Sequence, residues 1–189
     1  MEAYNVLENL SHISYITDED IDTFLLMTND TTHENMILQE PDYVPSFKVD
    51  NTEYEKDVPE RILNGRVLKL GSIRQMEHYH INMAAMLKLG EWFDYLREEG
   101  VYDNTRIILV SDHGYDLYSL DELVADEDTC FSFYFPLLMV KDFGSKEFVV
   151  SDEFMTNADV PSIALDGVIE QPMNPFTGKL INSDEKNSA

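Results

Sequence analysis

Cysteine is almost missing: Cys130 is the only one in 189 residues, which leaves no internal disulfide framework and no multi-cysteine zinc site. Its apolar neighbours read as the setting of a small buried hydrophobe rather than a reactive thiol. Basic residues are scarce as well, 13 Lys+Arg against 37 Asp+Glu, for a formal net charge of −24. Such a field repels phosphate backbones and anionic headgroups, so no nucleic-acid partner is expected. Long apolar runs are also lacking. The longest, Cys130 to Val140, is broken by Ser132 and Pro136 and falls well short of the ~20 residues that cross a bilayer. Met1-Glu2-Ala3-Tyr4 has neither the basic start nor the apolar stretch of a secretory leader, so we expect a soluble chain without a transmembrane segment. There is no glycine-rich phosphate loop, no Gly-x-Ser-x-Gly elbow and no His-Glu-x-x-His pair.

With 43% hydrophobic and 11% aromatic residues the chain can still build a core, and its length fits one domain or part of a larger one. The acidity is uneven. Residues 1–60 carry 15 acids against 2 bases, residues 61–110 carry 6 against 7, and residues 111–189 carry 16 against 4. An anionic substrate therefore needs the balanced middle, a metal cation, or residues outside this chain.

Hydrophobic spacing gives the coarse organisation. Residues 1–22 read as a helix or lead-in segment. Phe24-Leu25-Leu26-Met27-Thr28 reads as a buried strand that ends in the polar loop Asn29-Asp30-Thr31-Thr32-His33-Glu34. Pro41, Pro45, Pro59 and Gly65 mark residues 40–65 as an irregular surface excursion. From Ser72 to Glu99, apolar residues including Ile73, Met76, Tyr79, Met83, Met86, Phe93 and Leu96 recur at three- and four-residue steps, which predicts a long helix closed by Gly100. Arg106 to Ser111 is apolar on both faces, as central parallel strands are. Pro136 to Val140 predicts another buried strand, residues 156–169 a short helix capped by Thr156 or Asn157, and the segment from Ser183 a polar tail.

Asp112-His113-Gly114 carries the sharpest chemical signal, because it sits at the C-terminal end of the 106–111 strand, the edge where ligands bind in open α/β sheets. A carboxylate next to an imidazole suits Mn²⁺, Zn²⁺ or Fe, and Gly114 lets the backbone turn away. The blander reading makes Asp112 a turn cap and His113 a half-buried surface residue. His33 closes the earlier loop and, if the two strands are parallel neighbours, opens onto the same edge, where an imidazole can bind a phosphoryl or sulfuryl oxygen. His12, His78 and His80 are expected to be structural or solvated, and Thr31 and Thr32 to be turn hydroxyls unless a base or metal activates them. The acidic stretch 121–128 lacks the spacing of a calcium loop and reads as a solvated face.

The order of these pieces resembles a known family. The Thr-His loop, the long helix, Tyr102-Asp103-Asn104-Thr105, Val110-Ser111-Asp112-His113-Gly114, Pro136-Leu137-Leu138-Met139-Val140-Lys141 and Asn157-Ala158-Asp159-Val160-Pro161-Ser162 are similar to the C-terminal part of a sulfatase-like enzyme of the alkaline phosphatase superfamily. The lipoteichoic acid synthase and phosphoglycerol transferase branch is the nearest in pattern. The resemblance implies an α/β fold, part of a three-layer sandwich with a mostly parallel sheet, truncated at its N-terminus, over residues 1–182, followed by a polar tail at 183–189.

It also implies roles. Asp112 and His113 become ligands of a divalent metal (Mn, Zn, Mg or Ca), and His33 contacts the phosphate or sulfate of an ester substrate. The nucleophile and a first metal-binding carboxylate belong to an N-terminal half that nothing in residues 1–23 matches, so that half is an expected partner. The parent enzyme is expected to be membrane-anchored, with its catalytic domain outside the cytoplasm and cell-envelope lipids or polymers as substrates. Glu34-Asn35 follows His33 where related sequences commonly have Pro. From another class, the alternative is a non-catalytic acidic α/β binding module or gene remnant.

Overall fold

A computed structural model describes residues 2–19, 21–57, 61–63 and 65–182; the expected tail at 183–189 lies outside them. In chain order the elements are α1 (Glu2–Glu8), α2 (Leu10–Ile13), α3 (Thr52–Asp57), β1 (Arg61–Leu63), β2 (Arg66–Leu68), α4 (Ile73–Glu98), β3 (Ile107–Val110), β4 (Val124–Asp126), β5 (Thr129–Cys130), β6 (Leu138–Lys141) and α5 (Val160–Leu165). The fold is mixed α/β, and the described sheets are small two-stranded antiparallel pairs, β1–β2, β3–β6 and β4–β5. The chain forms two compact units, Met1–Tyr102 with Tyr115–Ser132, and Asp103–Gly114 with Phe133–Ala189.

The first unit is organised by α4, whose limits follow from its ends. Ser72 Oγ accepts the Gln75 amide at 3.2 Å while Gln75 Oε1 accepts the Ser72 amide at 3.0 Å, a reciprocal cap that satisfies two orphan donors of the first turn. At the other end Gly100, with φ +74, lets the amides of Val101 and Tyr102 both reach the Leu96 carbonyl at 3.0 Å. The buried face of α4 presents His80, Ile81, Ala84 and Ala85. Ile81 and Ala84 pack with Tyr4 of α1, Leu38 and Tyr43, and Ala85 packs with Leu7 and Leu10. Each large apolar side chain buried here contributes about 1.5–3 kcal/mol. Met83 packs against this core, whereas Met86 is exposed.

Two expectations for this unit are corrected. Residues 24–28 form no strand; they run without regular structure, and Phe24, Leu25 and Leu26 are all exposed. The apolar run has strand propensity, but among the described residues no strand pairs with it. The 40–65 region is not a surface excursion throughout. It contains α3 and β1, and Glu40, Tyr43 and Asn51 are buried. The helical lead-in (α1, α2) and the burial of Cys130 agree with the sequence reading.

In the second unit β3 pairs with β6, Ile107 opposite Lys141 through Val110 opposite Leu138. Both strands were expected, but their pairing is antiparallel, and a mostly parallel sheet is not present among the described residues. Apolar residues on both faces of a strand report that both faces seek cover, not which way the neighbour runs. Arg106 anchors the strand's entrance. Its guanidinium pairs with Asp142 at 2.8 Å and donates to the carbonyls of Ile163 and Asp166 at 2.8 and 2.6 Å, so it closes the C-terminal end of α5 with a cation where the helix leaves carbonyls unpaired. The same pair holds the Asp142 carboxyl below its ordinary range.

Candidate functional site

The β3–β6 ladder continues one residue past β3: the Ser111 amide donates to the Leu137 carbonyl at 3.0 Å, and the Leu137 amide donates to Ser111 Oγ at 2.7 Å. Asp112 and His113 follow at once, where the chain is released from the ladder. The Asp112 Oδ1 accepts the His113 amide at 3.0 Å, which turns Oδ2 toward the imidazole, 3.5 Å from His113 Nε2. The other ring nitrogen, Nδ1, lies 2.6 Å from the Gly114 carbonyl. A carbonyl only accepts, so Nδ1 carries a proton, and in the neutral ring Nε2 presents its lone pair.

Two acceptors, Oδ2 and Nε2, therefore face one another at 3.5 Å, and such a pair is favourable only with a proton or a cation between them. Donor atoms about 2.1 Å from one ion at a tetrahedral angle stand about 3.4 Å apart. The spacing and the Nδ1 anchor, a common second contact of metal-bound histidines, fit a shared divalent cation. Solvent reaches the pair freely: the Asp112 side chain is 88% exposed and that of His113 43%. Among the described residues no group of three or more His, Cys, Asp or Glu side chains gathers around a point, so there the Asp112–His113 pair stands without a third such donor.

His33 is exposed at the end of a 3-10 turn, Thr31–His33, in the first unit. Its expected place on the sheet edge of Asp112 and His113 rested on a parallel strand at 24–28, and that strand is not formed. Thr31 is buried, its amide bonded to Asn29 Oδ1 at 3.0 Å, a turn role; Thr32 is exposed. His78 stacks on Tyr115 with ring centroids 4.9 Å apart, and burial, then the nearby Arg74 charge, lowers its pKa below the ordinary histidine value. Arg66, Lys69 and Arg74 pair with Glu122, Asp121 and Asp116, so part of the acidic stretch is held by the basic middle of the chain.

Sequence reasoning missed one constellation. Glu40, with a fully buried side chain, draws Arg61 into an ion pair, lies 3.3 Å from the Tyr43 hydroxyl and faces His80 Nε2 at 3.5 Å. His80 Nδ1 accepts the Leu38 amide at 3.1 Å, and Asn51 bonds both the Leu38 carbonyl and the Glu40 amide at 2.9 Å. Burial pushes the Tyr43 hydroxyl far above its ordinary pKa. The group has the residue types of an active site, but its solvent exclusion and its bonds to backbone make it a scaffold that pins residues 38–51 onto α4. The one available signal was a carboxylate inside the otherwise uncharged run from Met36 to Pro41. No protein-family model, no curated protein and no solved structure matches the chain.

Proposed function

We propose that the chain is the C-terminal portion of a metal-dependent, sulfatase-like hydrolase or transferase acting on phosphate or sulfate esters, with cell-envelope lipids or polymers as its substrate class. The observation that carries this reading is the Asp112–His113 pair, an oxygen and a bare imidazole nitrogen 3.5 Å apart at the end of an apolar strand. In it, Asp112 Oδ2 and His113 Nε2 hold half the shell of a divalent cation. When bound, the ion supplies Lewis-acid stabilisation of the ester's nonbridging oxygens and activates a hydroxyl nucleophile. Gly114 fixes the ring through its carbonyl, and the resemblance alone, not its position, assigns His33 to the anionic group of the ester. The nucleophile and the remaining ligand come from an N-terminal half that precedes this chain.

The finer architecture belongs to the same reading: β3 and β6 are part of a larger, mostly parallel sheet in a three-layer sandwich. Its support is apolar surface that lacks cover. Val110, Met139 and Val140 are exposed although they lie in the sheet, as are Phe148, Val149, Val150 and Phe154 beyond it. Large apolar side chains left in water are surface that a further layer would bury favourably. Among the described residues no helix is long and apolar enough to cross a membrane; the same reading gives the parent enzyme a membrane anchor and a catalytic domain outside the cytoplasm.

The test is reconstitution. Joined to its upstream coding half, the protein should hydrolyse a chromogenic phosphate or sulfate ester with added Mn²⁺. Asp112→Ala and His113→Ala should lose metal and turnover together, and His33→Ala should lower turnover with metal content unchanged. The 189-residue chain alone should be silent, since rate follows only when nucleophile, metal and substrate are held together. Metal-dependent turnover by this chain alone, abolished by Thr32→Ala but not by Thr105→Ala, would instead make Thr32 the nucleophile.

A further inference from the structure

The loop that carries Asp112 and His113 has no regular structure, and both side chains are open to solvent, yet its backbone is tightly held. Two residues distant in sequence hold it. Asn157 Nδ2 donates to the Ser111 carbonyl at 3.0 Å and to the Asp112 carbonyl at 3.1 Å. Phe133 accepts the Gly114 amide through its carbonyl at 2.8 Å, and its ring lies against the His113 imidazole, centroids 4.7 Å apart and planes 22° from parallel. Asn157 is itself fixed, because the buried Asp159 carboxylate accepts the Thr156 amide at 2.7 Å and the Thr156 hydroxyl at 3.3 Å, a cap that sets the start of the turn leading into α5.

Resting on the metal reading above, we infer that Asn157 and Phe133 are positioning residues for the Asp112–His113 pair. Asn157 clamps the two carbonyls immediately before His113, and Phe133 sets the plane of the imidazole so that Nδ1–H stays on the Gly114 carbonyl and Nε2 stays turned to Asp112 Oδ2. Neither touches the ion or the substrate. Both act through the orientation of the two ligands, and outer contacts of this kind are typically worth 10–100-fold in metal affinity.

The isosteric change Asn157→Asp separates this role from a purely structural one. An aspartate at the first position of a helical turn suits the turn as well as asparagine does, but it has no N–H to donate and sets a carboxylate against two carbonyls. The 189-residue chain is titrated with Mn²⁺ alone, following paramagnetic broadening of the His113 ring signals, and the ring ¹⁵N shifts are recorded separately without metal. In the wild type Mn²⁺ broadens His113 selectively and the metal-free ring shows a single Nδ1–H tautomer. Asn157→Ala and Asn157→Asp should each raise the Mn²⁺ midpoint 10–100-fold and mix the tautomers. Phe133→Leu should do the same more weakly, and Phe133→Tyr should restore the wild-type behaviour.

An unchanged far-UV spectrum establishes that a variant is folded; should Asn157→Ala unfold the chain, Asn157→Asp and Phe133→Leu carry the test. Wild-type midpoints and tautomer in folded Asn157→Asp would overturn the inference. If Mn²⁺ leaves wild-type His113 untouched while the variants still mix its tautomers, the metal reading falls and the clamp stands.

Discussion

Each unit of the molecule sets a histidine against a carboxylate at the same distance. His80 Nε2 lies 3.5 Å from Glu40 Oε1, and His113 Nε2 lies 3.5 Å from Asp112 Oδ2. Their surroundings are opposite. The first pair has side chains 1% exposed, and its Nδ1 accepts an amide hydrogen, so a neutral ring carries its proton on Nε2, the nitrogen nearer the carboxylate. The second pair is open, and its Nδ1 donates to a carbonyl, so in the neutral ring Nε2 is the acceptor. A buried contact that supplies its own proton serves as structure; an open one between two acceptors leaves room for a proton or a cation. The partner of the far nitrogen, and not the pair distance, decides which.

The sharpest way to break this comparison is to delete the carboxylates. Glu40→Ala strands Arg61 and His80 in a dry core and should cost about 3–5 kcal/mol of stability, read from urea unfolding followed by Trp92, which lies in the same unit and donates to Ser14 at 2.8 Å. Asp112→Ala should stay within ~0.5 kcal/mol; equal costs would erase the distinction. Next in size is the imidazole itself. His80→Ala leaves the Leu38 amide without its acceptor, a loss of about 1–3 kcal/mol, and should speed hydrogen exchange at Leu38. His113→Ala should leave that amide unchanged.

A smaller effect comes from His78. Its folded pKa is lowered by burial and then by Arg74, so the unfolded chain takes up the proton first. His78 should therefore contribute stability that is present above the unfolded value of about 6.5 and is lost as pH falls from there through the folded pKa. Thermal midpoints of wild type and His78→Gln should separate over that window and run parallel above it; parallel curves throughout would refute the assignment. The least effect belongs to the open ion pairs. Lys69→Ala removes the partner of Asp121 and should cost under about 1 kcal/mol, a difference that disappears near about 1 M salt.

What was legible in the sequence was local. The limits of α4 follow from Ser72, Gln75 and Gly100, all within a turn of the ends they set. The strands at 107–110 and 138–141, and the helical start after Thr156, follow from composition and spacing in the same way. Strand direction was not legible, because Ile107 to Val110 would read alike beside a neighbour running either way. The 24–28 strand failed because a strand is a property of two segments and only one was visible. Glu40, Arg61 and His80 lie 21 and 40 residues from Glu40 along the chain for the latter two, a distance over which no periodicity reports convergence. The Asp112–His113 adjacency was readable, but the choice of tautomer depends on where the backbone of Gly114 turns.

The threading of the chain through its units also has a consequence in time. The strand before Asp112 leaves the ribosome before its only described partner, β6, and Asn157 follows Asp112 by 45 residues. At synthesis rates of about 5–20 residues per second the clamp follows Asp112 by roughly 2–9 s, and β6, made some 16 residues before Asn157, gives β3 its ladder earlier in that interval. The pair is thus assembled late in translation, and a nascent chain stalled before residue 157 carries both ligands without the contact that aims them.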